Sequence, residues 1–243
     1  MVHVERSGGR LGNQMFEYAF GRIIAEHFNY KFTHNLQIPE LSENFKLPDS
    51  LGGKEIHDPV QNVNGIITYS SDLLDSILND TRERKIICNG YFQNYNYYKN
   101  YKHKLKKWFY INNKEFDFSN CIAVHIRKGD FKNHSHFDVP DNYFLDIIKS
   151  ESFDKIFLAS DEPSHNIVQK ILTDYKDKAI LVEDTPFNTL KQFACFKKLI
   201  LSFGTFSWWM GFLSDASRIY LPNKFFPNNI DLRVTDEERY ILV

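Results

Sequence analysis

The chain predicts an α/β protein built as two halves, and three observations carry that expectation. From about residue 119 onward, short apolar runs of strand character alternate with stretches whose apolar residues recur at spacings of three and four. That alternation is the mark of βαβ units on a parallel sheet. Each half opens with a strand running into a loop rich in Gly and Arg: Val2–Glu5 into Ser7-Gly8-Gly9-Arg10, and Cys121–Ile126 into Arg127-Lys128-Gly129-Asp130. Between the halves, a charged stretch around Asn112-Asn113 marks a boundary and gives domains of 1–115 and 116–243.

The first strand is followed by a helix pattern through Met15, Phe16, Ala19, Phe20, Ile23, Ile24 and His27. The glycine-rich turn between them offers backbone N–H groups and the positive end of a helix dipole. It lacks the Gly-Lys-Ser/Thr ending of a Walker loop and the glycine spacing of the dinucleotide fingerprint. From about 33 to 85, Pro39, Pro48, Gly52-Gly53 and Pro59 punctuate the chain, which predicts loops with short strands. A short helix is expected to start near Asp72, and Lys85–Cys88 reads as a strand. Tyr95 to Trp108 reads as helical and basic, carrying Lys99, Lys102, Lys104, Lys106 and Lys107. The plain reading of that face is solvation, and the alternative is contact with an anionic membrane surface.

In the second half the expected strands are Cys121–Ile126, Lys155–Ser160, Ala179–Val182, Leu199–Ser202 and Arg218–Leu221. The expected helices between them are Asn142–Lys149, His165–Tyr175, Thr189–Lys198 and Phe206–Leu213.

Bulk properties remove several function classes. A net charge of −1 over 243 residues lacks the basic excess of a general nucleic-acid binder, so any anion site must be local. Cys88, Cys121 and Cys195 are too far apart for a zinc knuckle or a disulfide framework, which points to a reducing compartment. The start lacks a signal-peptide pattern, and no run approaches the roughly 18 apolar residues of a membrane span. The expected location is therefore cytoplasmic, with peripheral membrane contact as the alternative.

The strongest local signal is His125-Ile126-Arg127-Lys128-Gly129-Asp130, where an apolar run delivers charge straight into a loop. In open α/β sheets, ligands bind just outside the carboxyl ends of the strands. A cation cluster there suits a diphosphate, which a planar guanidinium grips through two parallel hydrogen bonds. The competing reading is ordinary surface charge on a turn.

Four blocks then resemble, in order, the α-1,2-fucosyltransferases of glycosyltransferase family eleven. They are Gly9-Arg10-Leu11-Gly12-Asn13-Gln14-Met15-Phe16 with Tyr18-Ala19, then Gly90-Tyr91-Phe92-Gln93, then His125 to Asp130, then Thr205-Phe206-Ser207-Trp208-Trp209. The resemblance implies a GT-B-like fold of two Rossmann-like domains facing a cleft, with the acceptor side in the first and GDP-fucose in the second. It implies transfer with inversion to a galactoside hydroxyl, with no metal and no cofactor, the partners being a nucleotide sugar and a glycan acceptor, lipid-linked in the membrane-contact reading. No Asp-x-Asp follows a strand in this chain, which agrees on the metal.

Carried onto this chain, Arg127 would neutralise the departing diphosphate, with His125 and Lys128 beside it. Thr205, Phe206 and Ser207 would meet the donor at a helix start, where the two hydroxyls serve as phosphate contacts, N-caps or both. Asp161 and Asp184 would lie near the nucleotide. Asn13 would act from the first domain, with Arg10, His134 and His136 on the acceptor side; the alternative for Asn13 is a plain helix cap. Asp130 is either the general base or a brace for Arg127. Trp208 and Trp209 read as helix packing.

The chain also departs from the pattern. Lys128 stands where the family has a second Arg, which loses a fork of donors. Phe203-Gly204 replaces Asn-Ser, and Asn188 and Thr189 stand where an acidic residue suits a guanine edge. Those departures keep two alternatives open: a transferase for another nucleotide sugar, and a nucleotide- or carbohydrate-binding protein without catalysis.

Overall fold

The computed structural model describes residues 1–65, 70–111, 118–129, 137–224 and 230–243. The chain divides into two compact units, Met1–Tyr110 with Phe225–Leu232, and Ile111–Lys224 with Arg233–Val243. The boundary expected between 115 and 116 falls within 112–117, outside the described residues. Each unit is an α/β fold on a parallel or largely parallel sheet, as the sequence predicts.

Unit 1 begins with strand β1 (Val2–Glu5) and helix α1 (Leu11–Phe28). Then come β2 (Phe32–His34), α2 (Pro39–Glu43), β3 (Ser50–Leu51), β4 (Val60–Gly65), α3 (Leu73–Asn79) and β5 (Lys85–Gly90). The sheet order is β3-β2-β1-β5-β4, with only the short edge strand β3 antiparallel. Helix α1 buries Met15, Phe16, Tyr18, Phe20 and Ile24 around most of its circumference, which is why its apolar pattern is broad rather than a single stripe. Phe20 on α1 stacks flat on Phe92 beyond β5, with ring centroids 3.8 Å apart.

Strand β4 escapes sequence patterning because it is an edge strand. It exposes Val60, Asn62 and Asn64 and buries only Val63 and Gly65, so its sequence looks like a loop. The expected continuous helix from Tyr95 to Trp108 is corrected. Two single 3₁₀ turns, Tyr95–Tyr97 and Lys99–Tyr101, precede a short α4 (Lys102–Trp108). Tyr95, Tyr97 and Tyr98 are all buried, a crowding of large rings that a regular α-helical face does not accommodate.

Unit 2 carries a six-stranded sheet that is parallel throughout. Its elements are β6 (Cys121–Ile126), α5 (Asp141–Ser150), β7 (Lys155–Ser160), α6 (Asn166–Asp174), β8 (Ala179–Leu181), α7 (Pro186–Phe193), β9 (Lys198–Leu201), α8 (Thr205–Leu213), β10 (Arg218–Leu221) and β11 (Tyr240–Leu242). The strand order β8-β7-β6-β9-β10-β11 is the 3-2-1-4-5-6 order of doubly wound nucleotide-binding sheets. Strands β6 and β9 flank the point where the winding reverses.

Helix α7 starts and ends earlier than its apolar pattern suggests. Thr185 caps it through its hydroxyl on the Asn188 N–H, and Pro186 occupies the first turn, where a missing N–H costs nothing. Trp208 and Trp209 are 1 % and 0 % exposed, and Trp208 stacks on Phe212 at 4.6 Å, so these rings pack the core of unit 2. Among the described residues no helix is long and apolar enough to cross a membrane.

Candidate functional site

In unit 2 the carboxyl ends of β6 and β9 are tied together by one serine. Ser202 Oγ accepts from the Arg127 N–H at 2.8 Å and donates to the His125 carbonyl at 2.9 Å. This fixes the chain direction as it leaves β6 and projects Arg127 beside the loop that follows β9. Gly204 lies in that loop with φ 132, and a Cβ there would stand 2.7 Å from Arg127 Nη1. The half-buried guanidinium thus lies directly over Gly204, which is the N-cap of α8.

Helix α8 has no side-chain cap at this end. A guanidinium at the positive end of a helix costs a few tenths to about 1 kcal/mol by itself, and an anion placed there reverses the sign. Charge, helix dipole and the reversal of strand winding therefore coincide at one place in the sheet.

The neighbours of Arg127 are committed elsewhere. His125 is buried, and its Nδ1 is 2.7 Å from Ser207 Oγ, which ties β6 to α8. Ser207 is wholly buried, with its hydroxyl against His125. Phe206 meets the His125 ring edge-on at 5.5 Å, and Thr205 is buried at the first turn. The Lys128 ammonium meets Asp138 at 2.9 Å, Asp141 at 2.8 Å and the Val139 carbonyl at 2.7 Å. Those three contacts take up the three hydrogens of its ammonium.

Asp161 accepts from the Lys128 and Gly129 N–H groups at 2.8 and 3.1 Å, so it shapes the turn after Arg127. Asp184 is bonded by Asn188 Nδ2 at 2.8 Å and by the Thr185 N–H at 2.7 Å. The Asn188 bond, followed by the backbone N–H, holds its carboxyl below the usual carboxylate range. Asp130, His134 and His136 lie outside the described residues.

In unit 1 the loop from Arg6 to Arg10 is held by polar side chains. Arg6 Nη1 donates to Gln37 Oε1 at 2.7 Å, and Gln14 links the Gly9 carbonyl to the Gln37 N–H. Tyr91 donates to the Ser7 carbonyl at 3.0 Å, and Ser7 Oγ donates to Asn89 Oδ1 at 3.1 Å. Arg10 is exposed and is the N-cap residue of α1, with no side-chain cap bond there. The Asn13 Oδ1 accepts from Gln93 Nε2 at 3.2 Å.

Two residues here carry no assigned role from sequence alone. Gln93 is buried behind Asn13; the block Gly90–Gln93 is conspicuous in sequence, but the pairing spans some 80 positions. Glu17 is fully buried on α1. Its Oε2 accepts from the Ser7 N–H at 3.5 Å, and its Oε1 has no hydrogen-bond partner among the described residues. Burial pushes its carboxyl up to about 8, against small opposing effects of the Ser7 N–H and Arg6.

A family model described as glycosyl transferase family 11 matches residues 3–240. No curated protein sequence matches the chain. Among solved structures, the fucosyltransferase NodZ from Bradyrhizobium superposes with a TM-score of 0.53 at 13 % identity, covering 90 % of this chain and 94 % of that one. A NodZ α-1,6-fucosyltransferase structure soaked with GDP-fucose gives 0.51 at 13 % identity, covering 90 % and 93 %. At that identity the likeness speaks for the fold, which matches the GT-B-like class expected from the sequence.

Proposed function

The chain belongs to glycosyl transferase family 11, and from that premise we propose that it moves L-fucose from GDP-fucose to a galactoside hydroxyl with inversion, without a metal ion, forming an α-1,2 linkage. The observation that carries the reading is Arg127 lying over Gly204 at the uncapped start of α8. Breaking the bond between fucose C1 and the diphosphate oxygen sends an electron pair, and negative charge, into GDP. A fixed guanidinium and a helix start stabilise that developing charge without rearranging. This is also why the reading needs no divalent ion.

In the same step the acceptor oxygen bonds to C1 from the opposite face, and its proton passes to a base. Asp130 is the carboxylate we assign to that proton, the alternative being a brace for Arg127. Of the Arg127-Lys128 pair, Arg127 makes the donor contact, together with the start of α8, since Lys128 is committed to Asp138 and Asp141. Asn13, with Arg10 nearby in unit 1, belongs to the acceptor side.

Incubation with GDP-fucose and a panel of galactosides, read by mass and by linkage analysis of the product, tests this proposal. A fucosylated product with a substituted O2 supports it. An α-1,6 product, the linkage named for NodZ, would keep the chemistry and replace the linkage. Activity is expected to persist in excess EDTA; loss restored by Mn²⁺ or Mg²⁺ would overturn the metal-free reading.

A second donor is favoured by one observation: Asp184, the carboxylate near the expected guanine region, is spent on the start of α7. Thermal stabilisation by GDP, UDP and ADP in parallel separates the two donors. Binding of a nucleotide without turnover of any sugar donor would point to a non-catalytic binding protein.

A further inference from the structure

We infer that Glu17 is a proton-controlled positioning residue for the turn Ser7–Gly9: as a neutral acid it lets the turn close on helix α1, and loss of its proton opens the turn. The inference rests on the proposed sugar transfer, in which this turn leads into Arg10 on the acceptor side of unit 1. It adds an alkaline limit to that reaction.

The placement follows from how α1 lies on its sheet. The helix packs on β1, β2 and β5, with α3 beside it. At Gly21 it comes down so closely that an added Cβ would overlap Val4 Cγ2. Glu17 is one turn earlier on the same face of the helix. It therefore reaches the place where β1 has ended and the turn has begun. There its Oε2 accepts from the Ser7 N–H, while its Oε1 meets no hydrogen-bond partner among the described residues. The Ser7 carbonyl is held separately, by Tyr91 OH at 3.0 Å.

A carboxyl buried in this way is stable only with its proton. With Oε2 turned to Ser7, the proton belongs on Oε1, where an unbonded hydroxyl costs far less than an unbonded carboxylate oxygen. The surroundings offer the ion little. On its own helix, Asn13, Gln14, Phe20 and Gly21 stand beside Glu17, and none is charged. The sheet face under α1 carries Val2 and Val4 with their in-register neighbours Ile86, Cys88 and His34. His3, Glu5 and Lys85 alternate to the opposite face. Burial pushes the Cys88 thiol up and the His34 imidazole down, so both are uncharged around pH 8. Asp72 and Asp75 at α3 are exposed. Arg6 does act on Glu17, but its effect is smaller than that of burial. The carboxyl is accordingly pushed up to about 8, and its proton leaves only above that pH.

Ionisation then puts a charge beneath a turn that is able to move. Gly8 and Gly9 sit at φ 110 and 76, a region that glycine enters without steric cost. Rotation there lets water or the Arg6 guanidinium reach the carboxylate at the expense of the closed turn. Arg10, the N-cap residue of α1, comes next in the chain and moves with it. A glutamine would accept from the Ser7 N–H as well as the acid does and would ignore pH. What the acid adds is its proton.

The test follows the full-length protein by carbon-detected NMR from about pH 6 to about pH 10, spanning the Glu17 value. The Glu17 carboxyl carbon is expected to titrate near pH 8, and the backbone carbons of Ser7, Gly8 and Gly9 to shift with the same midpoint. In Glu17→Gln those backbone carbons should stay still across the range. Transfer should carry the matching signature. Wild-type kcat/KM should fall about tenfold per pH unit above the midpoint, and in Glu17→Gln that fall should vanish or move by at least about one unit.

A Glu17 carboxyl that titrates near 4.5, turn carbons that do not follow it, or an unaltered alkaline fall in Glu17→Gln would each overturn the inference. Should Glu17→Gln not fold, the wild-type titrations decide: a shared midpoint for carboxyl and turn supports the inference, and separate midpoints overturn it. A folded chain that transfers no sugar from any nucleotide donor defeats the proposed function instead, and the same two titrations still show whether Glu17 moves the turn.

Discussion

The loops after β1 and after β6 are built on one backbone plan and place their charges differently. Each leaves the carboxyl end of a parallel strand, and each is pinned by the neighbouring strand's end: Asn89 and Tyr91 hold the first, and Ser202 holds the second. Around the first, amides and hydroxyls hold the turn, Arg6 is bonded to Gln37, Arg10 is exposed, and one buried carboxyl lies beneath. Around the second stands a guanidinium at the uncapped end of a helix. In folds of this kind the backbone places loops at the carboxyl ends of the strands, and the side chains they carry set what each could bind.

The largest expected effect breaks the cationic side of the contrast. Arg127→Ala should lower kcat by a hundredfold or more, corresponding to roughly 3 kcal/mol of transition-state stabilisation, and should weaken GDP binding. The melting temperature should change little, because the guanidinium lies over a glycine rather than in the core. Near-normal turnover in a folded variant would show that unit 2 does not stabilise the leaving group through this residue.

A second prediction tests the buried carboxyl beneath the loop after β1. Glu17 in the folded chain holds its proton up to about pH 8, whereas its ordinary carboxyl value is 4.5. A raised folded value means the native state binds the proton more tightly than the unfolded state. Wild-type stability should therefore be highest below about pH 4.5 as far as this group is concerned, and should fall as pH rises toward 8. At about 1.4 kcal/mol per pH unit, the accumulated loss is a few kcal/mol. Glu17→Gln keeps the shape and the acceptor for Ser7 N–H and removes the titration. It should flatten the stability profile between those pH values and raise the melting temperature most at pH 8. An unchanged slope in urea denaturation across that range would mean that Glu17 is hydrated or partnered as an ion.

What could be read from the sequence follows the same contrast. Strands β6 and β7 and helix α8 were legible because buried elements of a parallel sheet are continuous apolar runs, and their periodicity survives without neighbours. The position of Arg127 at the carboxyl end of β6 was legible because it directly follows such a run. Lys128 was not, since its partners Asp138 and Asp141 lie beyond a loop and only the fold brings them to its ammonium. The pairing of Gln93 with Asn13 was invisible for a related reason: a long-range amide pair has no period and no spacing. Edge strands β4 and β11 were missed because one neighbour and one buried face leave a weak pattern.

The smallest expected effect on activity sharpens the division of labour within unit 2. Ser207 lies in the block that suggests a phosphate cradle, yet its hydroxyl is buried against His125 Nδ1 at 2.7 Å. Removing that hydroxyl leaves a buried imidazole nitrogen without this partner, a loss of about 1–2 kcal/mol. Ser207→Ala should therefore lower the melting temperature by several degrees while GDP binding stays within about twofold, since Arg127 and the α8 N–H groups are untouched. A hydroxyl that reached a phosphate would produce the reverse: little change in melting and a clear loss of GDP stabilisation. The two variants, Arg127→Ala and Ser207→Ala, should thus separate on the two axes. If both moved GDP binding alike, the helix start would be a cradle of several contacts, and Arg127 by itself would no longer explain why the loop after β6 differs from the loop after β1.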